Sequence, residues 1–167
     1  MKPPFGDKSK TSNDFQTPPL ALRPLLGYIK KSWTVWECAC GRGNLAGELE
    51  KKGYRVVSTD ITGGYDFLSF EPDYYDCIIT NPPYSLKQEF LKRAYDLGRP
   101  FAFLLPLTTF ETAKRQRLFK EHGVEVIFLD RRINFETPSG EGSGSWFAVA
   151  WFTYGLGIGS QLNFYTF

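Results

Sequence analysis

Histidine and cysteine are scarce in this chain of 167 residues: one His, three Cys and a single Met. With only His122, any Ser-His-Asp or Cys-His hydrolase would have to run through that one imidazole. His122 precedes Gly123 at the end of a helix-like segment, a position that suits a capping or solvated ring better. Cys38, Cys40 and Cys77 are odd in number and too sparse for a disulfide framework. A zinc site would need all three cysteines and the distant His122, and Cys38 and Cys40 lie two apart at a strand end, so no metal is expected. The chain also lacks a strong charge: 20 Lys+Arg against 18 Asp+Glu leave a net +2. That excludes a globally sticky basic protein, while allowing a nucleic-acid enzyme whose cations cluster on one face. No apolar run is long enough to span a membrane, and the polar, Pro-bearing stretch Met1–Thr11 has no signal-peptide core. The expectation is a protein without membrane attachment, in the cytoplasm (or a host's cytoplasm, for a phage-encoded chain).

What is abundant is apolar and aromatic material. Hydrophobic residues make up 42%, with 15 Phe, 9 Tyr and 4 Trp. That suffices for one core and one domain, and flat rings also suit a site that stacks a planar ligand. Residues 1–12 read as a disordered tail, rich in Lys, Pro and Ser with little to bury. Residues 13–167 read as a single domain without internal repeats.

Within that domain, residues 17–31 carry Leu20, Leu22, Leu25, Leu26 and Ile29 on a helical period, with Thr17 as N-cap, Pro18 at the first helical position and Pro24 disturbing the middle. Short apolar runs then alternate with helical segments. Strands are expected at 33–38, 54–58, 75–80, 101–105, 124–129 and, as the last, 146–154. Helices are expected at 44–52, 85–97 and 110–121. Residues 61–72 read as a loop holding a very short strand near Phe67, residues 136–144 as a Gly/Ser/Pro/Glu loop, and the stretch after Gly155 as a tail. This alternation means an α/β fold with a parallel sheet covered by helices on both faces. Ligands of such sheets sit at the carboxyl ends of the strands, where strand order reverses, so the loops after each strand are where chemistry is sought.

After the first strand runs Glu37-Cys38-Ala39-Cys40-Gly41-Arg42-Gly43-Asn44. Two glycines let the backbone approach a ligand and turn into a helix whose N–H groups point at it, although a Gly-x-Gly is equally a plain strand–helix turn. It is no P-loop, since the Lys-Ser/Thr ending is missing. In a dinucleotide pattern the third glycine would fall on Ala46, which keeps a nicotinamide enzyme as a rival. Asp60 ends the second strand 17 residues after Gly43, where a carboxylate accepts both hydroxyls of an adenosine ribose. Asp66-Phe67 offers an acceptor for an adenine amino group beside an aromatic wall; the plainer reading is a loop Asp and a core Phe.

The sharpest signal is Asn81-Pro82-Pro83-Tyr84, directly after the apolar run Cys77-Ile78-Ile79-Thr80. Two prolines remove donors and fix the backbone, leaving carbonyls as free acceptors. Asn81 adds a side-chain carbonyl and Tyr84 a ring for stacking. Two acceptors converging on one NH₂ above an aromatic plane localise an amine lone pair otherwise delocalised into a base.

Asn81-Pro82-Pro83-Tyr84 resembles the catalytic motif of Rossmann-like amino-methyltransferases, adenine-N6 DNA methyltransferases foremost. Relatives acting on guanine N2 in RNA or on a protein glutamine amide use similar tetrads. The resemblance extends over most of residues 13–153 and implies a class I methyltransferase fold, mostly parallel with a last antiparallel strand, and S-adenosylmethionine as cofactor. It implies that Glu37, Cys38, Ala39, Cys40, Gly41 and Gly43 form the cofactor loop, that Asp60 and Ile61 hold the ribose side, and that Asp66 and Phe67 contact the adenine. Asp14-Phe15-Gln16-Thr17-Pro18 resembles the segment that closes over the methionine part in DNA amino-methyltransferases, which implicates Phe15, Thr17 and Pro18 and favours DNA. The motif order matches the gamma arrangement. Residues 131–152 resemble a late motif of small phage-type members, in which Phe135 would pack against a flipped base. Cys38 stands where the family often has Pro, and no target-recognition domain is evident, so specificity would be weak, come from residues 131–145, or be supplied by a protein partner or self-association.

The mechanism so implied flips the adenine out of the duplex, stacks it on Tyr84, holds N6 by Asn81 and the Pro82 carbonyl, and transfers methyl in line with neither metal nor covalent intermediate. Arg131 and Arg132, past a strand's carboxyl end, would contact phosphates; Lys114, Arg115 and Arg117 suit a solvated helix face slightly better. The same chemistry on RNA or cytosine N4, or a non-catalytic nucleic-acid-binding module on this fold, are the alternatives.

Overall fold

The computed structural model describes residues 16–135 and 147–167. Seven strands form one sheet: β1 (Thr34–Glu37), β2 (Arg55–Ser58), β3 (Cys77–Thr80), β4 (Phe101–Pro106), β5 (Glu125–Leu129), β6 (Val149–Tyr154) and β7 (Leu162–Tyr165), in the order β2-β1-β3-β4-β6-β5-β7. β1, β3 and β4 are buried at every position, as both-faced coverage demands of near-continuous apolar runs. β2, at an edge, is only partly covered. β1 pairs in parallel with β2 and β3, and β3 with β4. The chain leaves β1 for β2 on one side and returns to β3 on the other. The switch in strand order therefore falls between β1 and β3, at the two loops singled out by their residues.

The period of two within the buried strands sorts side chains by shape. Val35, Ile79, Leu104 and Trp151 face one side and meet Leu22, Leu25, Leu45 and Leu49, from a 3-10 segment (Pro19–Leu25) and helix α1 (Asn44–Lys51). Trp36, Ile78, Phe103 and Phe152 face the other and meet Phe90, Leu91 and Phe119 from helices α2 (Lys87–Leu97) and α3 (Ala113–His122). Full burial of each such side chain contributes about 1.5–3 kcal/mol. Trp151, fully buried, also donates its indole N–H to the carbonyl of Ala21 at 2.8 Å, which ties the first segment to the sheet.

Four expectations need correction. The segment 17–31 is helical only as the 3-10 stretch Pro19–Leu25, because the interior Pro24 lacks the donor an α-helix needs there; Pro18, not Thr17, occupies the N-cap, with no side-chain cap bond. Near Phe67 there is a turn instead of a strand: Asp66 accepts the Leu68 amide through its side chain (3.0 Å), and the Ser69 and Phe70 amides (3.0 and 2.7 Å) through its carbonyl. The antiparallel strand β6 pairs with both β4 and β5, yet it is not the last. Gly155, Gly157 and Gly159, all at positive φ, reverse the chain and lay β7 parallel to β5 at the sheet edge. Arg115 is not on a solvated face. It is buried, and its guanidinium donates to the carbonyls of Thr109 (2.5 Å) and Thr108 (3.4 Å), holding the turn after β4. The loop expected at 136–144 lies outside the described residues, as does the tail 1–12.

Candidate active site

The loops after β1, β2 and β3 enclose a cleft of about 560 Å³, within the range of small-molecule and cofactor sites. Its floor begins where Gly41 and Gly43 adopt left-handed φ of 52° and 85°. Gly43 serves as the N-cap of α1, and its amide donates to the Cys40 carbonyl at 2.7 Å. At Gly41 a side chain would collide: a Cβ would lie 2.9 Å from the Gln16 amide nitrogen. Gln16 is buried over this turn, its Oε1 accepting the Arg42 amide at 3.0 Å. Gln16 thus covers the glycine turn, while Thr17 beside it faces Asn81.

Glu37, Asp60 and Asp66 bring carboxyl groups to the cleft, and the first two are held in contrasting ways. Glu37 ends β1, 1% exposed. Its Oε1 accepts the Thr80 hydroxyl and the Ala39 amide (3.2 Å). Burial pushes its carboxyl up from 4.5 to about 8; the two hydrogen bonds oppose that, and the nearby charge of Asp60 adds to it. Asp60 is the reverse case. Partial burial works to raise its carboxyl, but the Thr62 amide, the Gly41 amide and the Thr62 hydroxyl together hold it below 3.8. These bonds measure 3.0, 3.0 and 2.8 Å; the two from Thr62 shape the loop after β2, and the Gly41 bond ties it to the loop after β1. Oδ1 takes both Thr62 donors and Oδ2 only the Gly41 amide, so Oδ2 keeps a lone pair for a further donor. Beside Asp60, Ile61 is 66% exposed, an apolar side chain left at the cleft with nothing from the chain over most of it.

On the opposite wall Asn81 leaves β3. Its Nδ2 donates to the Thr17 hydroxyl at 2.9 Å, and its Oδ1 is buried with no hydrogen-bond partner. An orphaned buried acceptor costs about 1–3 kcal/mol, a cost that an incoming N–H relieves. Pro82 and Pro83 line the cleft beside it. Tyr84 follows, its ring centroid 5.7 Å from that of Phe147 at 75°. Lys87 Nζ donates to the Tyr84 carbonyl at 3.0 Å and pins the end of the tetrad to α2.

The cleft gathers most of the residues expected from sequence: Thr17, Glu37, Cys38, Ala39, Cys40, Gly41, Asp60, Ile61, Asp66, Phe67, the four residues 81–84 and the buried Phe135. Three qualifications follow. Phe67 is chiefly a core ring, packed on Phe90 (4.6 Å) and Trp36 (5.2 Å), that also borders the cleft. Pro18 and Gly43 shape their turns without lining the cleft. Arg131 and Arg132 are exposed outside it, with Arg131 beside Asp130 (3.4 Å) and over the Phe167 ring (4.9 Å). Phe15 lies outside the described residues. Sequence reasoning had not singled out Tyr65, Phe90 or Phe147, which also line the cleft. Tyr65 follows a Gly-Gly pair, and a 46%-exposed aromatic there is a binding signal that no periodicity reveals. Cys38, Cys40 and Cys77 are free thiols, and among the described residues no His/Cys/Asp/Glu group is arranged to hold a metal.

No protein-family model matches the chain, and no curated protein does. Solved structures do match. The methyltransferase subunit of a type I restriction-modification system from Streptococcus thermophilus superposes with a TM-score of 0.59 at 18% identity over 92% of this chain. A protein from Listeria monocytogenes described as a class I S-adenosylmethionine-dependent methyltransferase gives 0.58 at 16% over 93%. A dimethyladenosine transferase from Plasmodium falciparum gives 0.55 at 15% over 83%. The chain spans 47%, 67% and 61% of their respective lengths. The Rossmann-like fold of this chain, with its mostly parallel sheet, one antiparallel strand and flanking helices, is the fold of class I methyltransferases.

Proposed function

We propose that the chain is an S-adenosylmethionine-dependent methyltransferase acting on the exocyclic amine of a nucleobase, foremost adenine N6 in DNA. The observation that carries this reading is Asn81 Oδ1, a buried acceptor without a partner at the wall of a cofactor-sized cleft. It stands where a strand's carboxyl end meets two prolines and an aromatic ring. An amine donor is what that atom lacks. The fold neighbours support the class of chemistry, and two of them are described as a restriction-modification methyltransferase subunit and a dimethyladenosine transferase.

The residues present fit the cofactor. The Gly41 turn admits close backbone approach, Asp60 retains acceptor capacity for a ribose, Ile61 and Phe67 offer apolar surface and Asp66 a carboxylate, and Phe15, Thr17 and Pro18 are assigned to the methionine side. When bound, S-adenosylmethionine supplies an electrophilic methyl group. The protein's own part is positional. Asn81 Oδ1 and the Pro82 carbonyl accept the two amine hydrogens and localise the nitrogen lone pair. Tyr84 stacks on the base and Phe135 borders the same space. Arg131 and Arg132, beyond β5, are assigned to phosphate contact. A base buried this deeply has to leave its helix first. A protein partner or self-association is assigned to target recognition.

The test is methylation of unmodified duplex DNA, single-stranded DNA and RNA, followed by nucleoside analysis. N6-methyladenine from DNA is the expected product. N4-methylcytosine or methylated RNA would reassign the acceptor. Asn81→Ala should bind cofactor normally and lose turnover about 10²–10³-fold, the scale for removing one preorganised polar group. Undiminished turnover would overturn the assignment.

A further inference from the structure

We propose that Thr17 is a positioning residue that holds the Asn81 amide in place with its oxygen free; the proposal rests on the amino-methyltransferase reading above. An asparagine amide is nearly symmetric in shape and opposite in chemistry at its two ends. Presented to an amine, the oxygen accepts a hydrogen, whereas the NH₂ end repels it. Nothing in the tetrad itself selects between the two. Asn81 and Thr17 are 64 residues apart, and the fold brings them to 2.9 Å. Thr17 is 4% exposed, so its hydroxyl has no competing bulk water. That hydroxyl, a donor as well as an acceptor, here accepts from Nδ2 and anchors that end of the amide, while Oδ1 is the atom left without a partner.

Thr17 itself is held by its neighbours. Gln16 is anchored on the Arg42 amide (3.0 Å), and Ala21 donates to the Pro18 carbonyl (3.0 Å) as the 3-10 segment begins. The segment that covers the glycine turn therefore also touches the amine-accepting residue. One hydroxyl links the cofactor side of the cleft to the acceptor side. This is separate from the cofactor-side role assigned to Thr17, which would appear in affinity and leave the chemical step alone.

The experiment is steady-state kinetics with calorimetric S-adenosylmethionine binding on Thr17→Val, Thr17→Ser, Asn81→Ala and the Thr17→Val/Asn81→Ala double variant. Valine keeps the shape and removes the acceptor; serine keeps the acceptor. The expected result is a fall in kcat of about tenfold for Thr17→Val, the scale of one lost hydrogen bond, with most of the turnover regained in Thr17→Ser. In the Asn81→Ala background Thr17→Val should cost nothing more, because its effect runs through Asn81. A rise in cofactor KM with kcat intact, or an undiminished Thr17→Val effect in the double variant, overturns the proposal while leaving the amino-methyltransferase reading standing. Should Thr17→Val melt at a much lower temperature, the double-variant comparison still decides, since a fold defect adds in both backgrounds. Absence of amine methylation by the unaltered protein on DNA and RNA alike would instead remove the reading on which the proposal rests.

Discussion

At the scale of single residues, Glu37 and Asp60 border one cleft in opposite protonation states at neutral pH. The reason is local. Glu37 is sealed at the end of a strand with two donors, whereas Asp60 sits in a half-open loop with three. The two leave separable signatures in stability. Glu37 in the folded chain titrates near 8 against 4.5. Between those values the folded state holds a proton that the unfolded chain has released, so this stabilisation is complete below about 4.5 and is lost as pH rises toward 8 and beyond. Asp60 works in the other sense: its carboxylate stabilises the fold above 3.8, and that contribution is lost as pH falls further. Denaturant melts of Glu37→Gln across pH 5–9 should show a flatter dependence than the parent chain. Equal slopes would mean that Glu37 is ionised where it lies. Neither state was legible from sequence, because a carboxylate's charge depends on which donors the fold delivers to it.

At the scale of elements, the loop between β1 and α1 shows why two glycines stand there. Both have left-handed φ, but they answer different demands: Gly43 turns the chain into the helix, and Gly41 leaves room for the Gln16 amide that closes over it. Gly41→Ala should cost about 1–2 kcal/mol from the backbone conformation alone. Because the new methyl would lie 2.9 Å from Gln16, it should also displace the cover over the turn and weaken S-adenosylmethionine binding several-fold. Calorimetric titration and a denaturant melt measure the two effects separately; unchanged affinity would place the cofactor elsewhere. The Gly-x-Gly spacing was readable from the residues, as were the strand before it and the helix after it. The covering side chain was not, since Gln16 precedes Arg42 by 26 positions. The turn after β4 makes the same point. Arg115 reads as one of three helix cations, yet the fold buries it on two carbonyls while Lys114 and Arg117 stay exposed.

For the whole molecule, the sheet order puts the Gly41 turn and the Asn81 tetrad on either side of one cleft. Binding there should stabilise the entire fold. At S-adenosylmethionine concentrations 100-fold above its dissociation constant, unfolding should require about 2.7 kcal/mol more, read as a rise in Tm. A nicotinamide dinucleotide should give no such rise; the reverse pattern would favour the oxidoreductase rival. What the sequence by itself determined is local: apolar runs of strand length between helical segments, glycines at a strand–helix turn, and a tetrad whose chemistry follows from its own four residues. These are settled by neighbours within a few positions, where steric and hydrogen-bonding preferences act directly. Tertiary structure alone decided the rest. Thr17 reads as a helix cap and becomes the partner of Asn81, and the residues after Gly155 read as a tail and become β7 beside β5. In both cases the deciding free energy is a polar or backbone pairing between segments far apart in the chain. No local pattern encodes such a pairing, because its worth depends on the burial that the completed fold provides.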